Sequence, residues 1–219
     1  MNSMQKVGGY AALISGVQYI AMLVFVFGLL MPPGLHVDTD TMVEADKRVM
    51  VVMTNHPTPF LIQSMVNGLF SITLLLCTLA LRERLQAGAP NRMRIGVIAA
   101  SVASALFLVS VTISFIGILD IVVSKDFSVF RMLNVVTQGL EYAAVFAYGW
   151  TTLLCGWAGL STKVLPSGLS YVLLLSGVFS ILGIVIFILQ PLEPVINMVW
   201  AFWLGYVLLS RDGASKLAT

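Results

Sequence analysis

Glu141 is the ionisable side chain lying deepest in an apolar run of this chain, the stretch from about Phe130 to Gly159. If a helix enters lipid near Arg131, ten residues at about 1.5 Å each carry this carboxyl roughly 15 Å down, near the middle of a hydrocarbon core about 30 Å thick. A charge is costly there, and no lysine or arginine reaches that depth in another run. The group should therefore be protonated, hydrogen-bonded to polar neighbours or exposed to a water-filled cavity. Steps of three, four and seven put Asn134, Gln138, Glu141, Tyr148 and Thr152 on one helical face. Gln63, Asn67 and Ser71 form a second stripe at steps of four, and the two stripes are expected to face each other. Trp200 and Trp203 fall about 9 to 14 Å beyond Pro194, deeper than an interfacial belt, which makes them candidate lining residues for the same pocket. Gln18, Ser110, Ser114, Gln190 and Asn197 add polar groups in other runs.

These residue types suit ligand binding or proton relay better than covalent chemistry. A nucleophilic triad needs a base beside a Ser, Cys or Thr, yet both histidines, His36 and His56, fall outside the apolar runs that hold Cys77 and Cys155. HExxH, a phosphate-binding glycine loop and paired intramembrane aspartates are not found, so an intramembrane enzyme ranks last among the readings. No cofactor is expected: opposed intramembrane histidines for haem and a mid-run lysine for retinal are both missing. His36, Asp38, Asp40 and the more distant His56 form a weak metal-ligand candidate, because closed zinc sites use more soft or imidazole ligands at tighter spacings. A solvated acidic loop end is the plainer account of them. Cys77 and Cys155 read as small packing residues.

The elements that must hold Glu141 follow from composition. With 58% hydrophobic and 10% charged residues, a soluble domain could not cover itself with polar surface, so the apolar excess must face lipid. Apolar runs of spanning length cover about 10–31, 60–81, 95–121, 130–159, 168–190 and 195–210. They predict one all-α domain, 1–219, a polytopic transmembrane bundle of six helices. The first run is read as a retained anchor, because it is too long for a signal peptide's apolar core and lacks a small-residue cleavage site. Thr58 and Pro59 are expected to start the second helix, and the Pro191–Pro194 link to fold the last two into a hairpin. In the first long loop, Thr41 and Glu44 have capping-box spacing, and Met42, Val49, Met50 and Met53 share a face. A short amphipathic helix should lie there, either as a packed loop element or as a lid.

Basic residues orient the bundle. Lys6, Arg82, Arg84, Arg92, Arg94, Lys163, Arg211 and Lys216 make eight on one side, against the four Lys47, Arg48, Lys125 and Arg131, so the first side, with both termini, is predicted cytoplasmic. A net charge of +2 in short loops gives no footprint for nucleic acid. Gly96, Ala100 and Ser104, and also Ser176 and Ser180, recur at steps of four as helix-packing seams, with a homodimer interface as the lesser alternative. The expected partners are a lipid bilayer, a small-molecule ligand or a second membrane protein. The functional expectation is an outward-opening polar pocket around Glu141, for binding or transporting a small molecule. Its rival is a non-catalytic partner subunit or scaffold, in which the polar stripes only dock helices.

The run pattern, the Gly16 and Tyr19 helix and the closing stretch from Trp200 to Arg211, with Trp203, Leu204 and Gly205, resemble a family of uncharacterised bacterial six-helix membrane proteins. That resemblance implies a bacterial inner membrane and contributes no catalytic residues.

Overall fold

Proline and lysine break the chain into helices at places the apolar runs only approximate. The computed structural model describes residues 3–26, 28, 42–186 and 192–210. Among them are seven helices: α1 (Ser3–Phe25), α2 (Met42–Asn55), α3 (Pro57–Leu85), α4 (Pro90–Ser124), α5 (Phe127–Thr162), α6 (Ser167–Gly183) and α7 (Glu193–Leu209). The second long helix begins two residues earlier than expected, with Pro57 in place of Pro59 as its first residue and His56 in place of Thr58 as its cap residue. A proline there loses no intrahelical bond, because the first amides of a helix have no partner within it. Asp126 caps α5 by accepting hydrogen bonds from the Ser128 and Val129 amides at 2.7 and 3.3 Å. Lys125 and Lys163 end α4 and α5 in the left-handed conformation, with φ of 53° and 57°. The short breaks at Lys125 and Lys163 reverse the chain, so that α4, α5 and α6 run antiparallel in turn.

Four helices, α1, α3, α4 and α5, are long and apolar enough to cross a membrane, while α6 and α7 are apolar but 17 residues each. Apart from α2, the helices form a closed ring in the order α1, α3, α4, α5, α6, α7 and back to α1, and α6 against α7 is its slightest junction. Close approach at small residues sets the tightest joints. Gly149 and Gly177 bring α5 and α6 to backbone contact, and Gly9 and Gly205 do the same for α1 and α7. The seams read from spacing pack inside the chain: Ser104 donates to the Ser71 carbonyl of α3 at 2.8 Å, and Ser176 donates to the Asn197 carboxamide of α7. The main core, around Leu74, Leu85, Met93, Leu169, Leu204 and Leu208, lies toward the end of the ring that carries Arg82–Arg94, called here the basic end.

Arg84 is buried at that end, without a carboxylate partner among the described residues. Its guanidinium donates to the Val207 and Leu208 carbonyls at 3.3 and 3.4 Å, so a cation closes the C-terminus of α7, where unpaired carbonyls concentrate negative potential. At the opposite end, α2 lies across α3, α4 and α5. Met53 packs with Phe60, Ile118 and Phe130, and Asp46 ties α2 to α5 through Arg131 at 3.7 Å and Asn134 at 3.3 Å. Thr41, the expected cap of α2, lies outside the described residues.

Candidate functional site

All six ring helices contribute to one cavity of about 310 Å³ in the half of the ring away from the basic end. Its apolar part is aromatic. Tyr19, Phe70, Phe107 and Tyr148 meet edge to face, with ring centroids 5.2 to 6.2 Å apart, and the Tyr19 and Tyr148 hydroxyls lie 3.2 Å from each other. Tyr148 is one of the largest fully buried side chains of the protein. A buried phenol needs a partner for its hydroxyl, and here each supplies the other's.

Carboxyl and carboxamide groups make the polar part. Glu141 enters from α5, and its Oε1 lies 3.1 Å from the Ser110 hydroxyl of α4, which also reaches the Thr137 carbonyl at 3.3 Å. Glu193 enters from the first turn of α7, where it accepts from the Ser180 hydroxyl of α6 and, at 3.4 Å, from the Asn197 carboxamide. Asn197 is itself fixed by Ser176 and by Trp200, whose indole N–H donates to its Oδ1 at 3.1 Å. Gln18 bonds to Thr73 and the Val66 carbonyl, and Asn67 takes a hydrogen bond from Gln63 at 2.9 Å. Among the described residues no lysine, arginine or histidine lines this cavity.

A second cavity of about 320 Å³ lies between α2 and the ring, lined by Val49 and Met53 of the cover and by Gln63, Asn134 and Gln138 below it. Glu141 lines both cavities, so its carboxyl stands in the wall between them.

The expected site residues are thus distributed over different places. Glu141, Tyr148 and Asn67 line the ring cavity, and Gln63, Asn134 and Gln138 line the covered one. The stripes of α3 and α5 border the same two cavities, Asn67 with Glu141 and Tyr148 in one and Gln63 with Asn134 and Gln138 in the other, while the two helices pack with each other far less than each does with α4. Trp200 is buried and acts through Asn197, outside the lining itself. Trp203 does not line the cavity: it is 37% exposed and rests on Gly168 of α6, which leaves no room for a side chain beneath the indole. His36, Asp38 and Asp40 lie outside the described residues, and His56 is exposed ahead of α3. Among the described residues no three His, Cys, Asp or Glu side chains gather as a metal would require.

Tyr19 and Glu193 were missed as site residues. Glu193 looks like part of a loop because it sits between prolines. A usable signal is the spacing of Ser176 with Ser180 and of Glu193 with Asn197, two polar pairs four residues apart on consecutive helices that can bond across their seam. The chain matches no family model, no curated protein and no solved structure.

Proposed function

We propose that this chain is a six-span membrane protein whose ring cavity opens outward and binds or moves a small organic molecule past Glu141. The observation that carries the reading is a cavity of about 310 Å³ to which every ring helix contributes, within the size range of ligand pockets. Helices that only dock one another would fill this space with side chains. Here half-buried carboxyl groups and buried carboxamide and phenol groups converge on it instead, and polar groups at membrane depth line ligand or ion paths when no packing need explains them.

The ring supports the span count, and the distribution of basic residues supports the orientation. The helices α6 and α7 are about 25 Å long at 1.5 Å per residue, and they pack antiparallel beside helices long enough to span, so all six occupy one slab. The eight-to-four bias of basic residues read from the sequence supports a cytoplasmic basic end, with the cavity on the outer side. The cell membrane is the corresponding location, with both termini cytoplasmic.

The test is accessibility. The native cysteines Cys77 and Cys155 are buried and give a silent background. A cysteine at the cavity-lining Val145 should react with a membrane-impermeant methanethiosulfonate added outside, and one at the exposed Val102 on the ring's outer face should not. An unreactive Val145→Cys, with Val51→Cys on α2 reacting normally, sinks the proposal.

A further inference from the structure

The chemistry of the cavity wall selects a class of ligand. We infer that the ring cavity takes an organic cation with an aromatic or aliphatic body, its charged nitrogen set between the Glu141 and Glu193 carboxylates and its body on the Tyr19, Phe70 and Tyr148 rings. This rests on the cavity reading given above and names what the cavity would hold.

Three features agree. First, both ionisable groups of the wall other than phenols are carboxyls, and they reach the one cavity from different helices, α5 and α7, which flank α6 in the ring. An anion placed there would face two acids, with no cation among the described lining residues to offset them. A neutral molecule would leave the acids without a counter-charge in a low-dielectric setting. Second, the carboxamides and hydroxyl of the lining, Gln18, Asn67, Asn197 and Ser180, are already engaged in hydrogen bonds within the wall, and the remainder is aromatic and aliphatic, with Phe107, Val111 and Val145 beside the tyrosines, a surface that suits a hydrocarbon body better than a hydrated metal ion. Aromatic faces attract an ammonium group and also accept a hydrocarbon body. Third, the acids are held in place by neutral hydroxyl and carboxamide donors, Ser110 for Glu141 and Ser180 with Asn197 for Glu193. Such donors orient a carboxylate without neutralising it, which leaves its charge for a ligand.

The test uses the full chain in lipid nanodiscs, with empty nanodiscs as the reference for partitioning into lipid. Three isosteric probes are titrated by calorimetry: naphthylethylamine, the neutral alcohol naphthylethanol and the anion naphthylpropionate. The amine should bind saturably, at least about tenfold tighter than either other probe, since a paired charge in a dry site outweighs the shared ring contacts. That comparison is made on the unaltered protein and does not depend on any variant folding. Glu141→Gln with Glu193→Gln should erase the preference while leaving the thermal midpoint and the elution volume in place. Alcohol binding as tight as amine binding, or a preference that survives in the double variant, overturns the inference. If that binding is also lost in Val145→Trp, which fills the cavity, the pocket reading stands and only the ligand class fails. Saturable binding by none of the three probes also overturns the inference, and an unreactive Val145→Cys would then remove the pocket reading with it.

Discussion

A methyl group added at Gly177 should loosen the ring, whereas the same methyl at Gly139 should tighten it. A Cβ at Gly177 would sit 2.5 Å from Leu153 Cγ, 2.6 Å from the Gly149 carbonyl oxygen and 2.8 Å from the Leu153 amide nitrogen. Two of those three atoms are backbone, so no rotamer change relieves the clash and α5 and α6 must separate. Overpacking of this kind costs about 1–3 kcal/mol, against about 0.5–1 kcal/mol gained by replacing glycine with alanine inside a helix. The net loss for Gly177→Ala is then up to about 2.5 kcal/mol, toward the upper end because two of the clashing atoms are backbone, or up to about 10 °C in the thermal midpoint of a chain this size. Gly139 has nothing within 4 Å of its added Cβ, so Gly139→Ala keeps only the helix term and should raise the midpoint by about 1–4 °C. The assay needs no added reporter, because Cys77 and Cys155 are free and buried and react with a fluorogenic thiol dye only as the protein opens on heating. Midpoint shifts of the same sign for the two variants, or no shift for Gly177→Ala, would refute the close-approach argument for α5 and α6.

Arg84→Met should lower stability by about 3 kcal/mol, the low end for two charge-assisted hydrogen bonds at the lengths seen here, and Arg84→Lys should recover at most about half because an ammonium lacks the guanidinium fork. Unfolding in mild detergent measures the loss, and faster amide exchange confined to the last turn of α7 would localise it. Cysteines at Val51 on α2 and at Ala87 between α3 and α4, both exposed, should be labelled from opposite faces of the membrane; equal labelling from one face would contradict the assigned orientation. Asp46→Asn should change the global midpoint little, since a partly exposed ion pair contributes no more than about 1 kcal/mol, yet it should raise amide exchange along α2. A large global loss would mean that α2 is part of the ring's stability and not a cover attached to it.

Hydropathy located the helices because it reports stretches that lipid or core can accept, but it could not report their true ends. The helix α3 continues through Arg82 and Arg84 to Leu85, and α4 starts at Pro90, before Arg92 and Arg94, since charged residues are good helix formers outside an apolar environment. Glu141 could be singled out because it interrupts an apolar run. Glu193 could not, because at a helix start flanked by prolines a carboxylate is ordinary. The partnering of helices was also hidden. Apolar residues surround α4 on all sides, so periodicity gives it no preferred face, and its packing against both α3 and α5 is decided by Ser104 and Ser110 and by small-residue contacts. For the same reason Trp203 could not be told from a lining residue: what turns it away is the room left by Gly168 on another helix.

The closure of the ring between α1 and α7 has a consequence for biogenesis. During synthesis α1 emerges well before α7, and the groove on α1 formed by Gly9 and Gly16 receives Leu208, Leu209 and Phe202 only once α7 has been made. Until then the polar lining faces whatever occupies the gap, whether lipid, water or an insertase. Chains stopped ahead of Glu193 would keep five ring helices yet leave the acid on α5 and the paired phenols without their outer wall. Quality control of such chains can therefore act on one late event, the docking of a single helix, which turns an open trough into a chamber ringed by six helices.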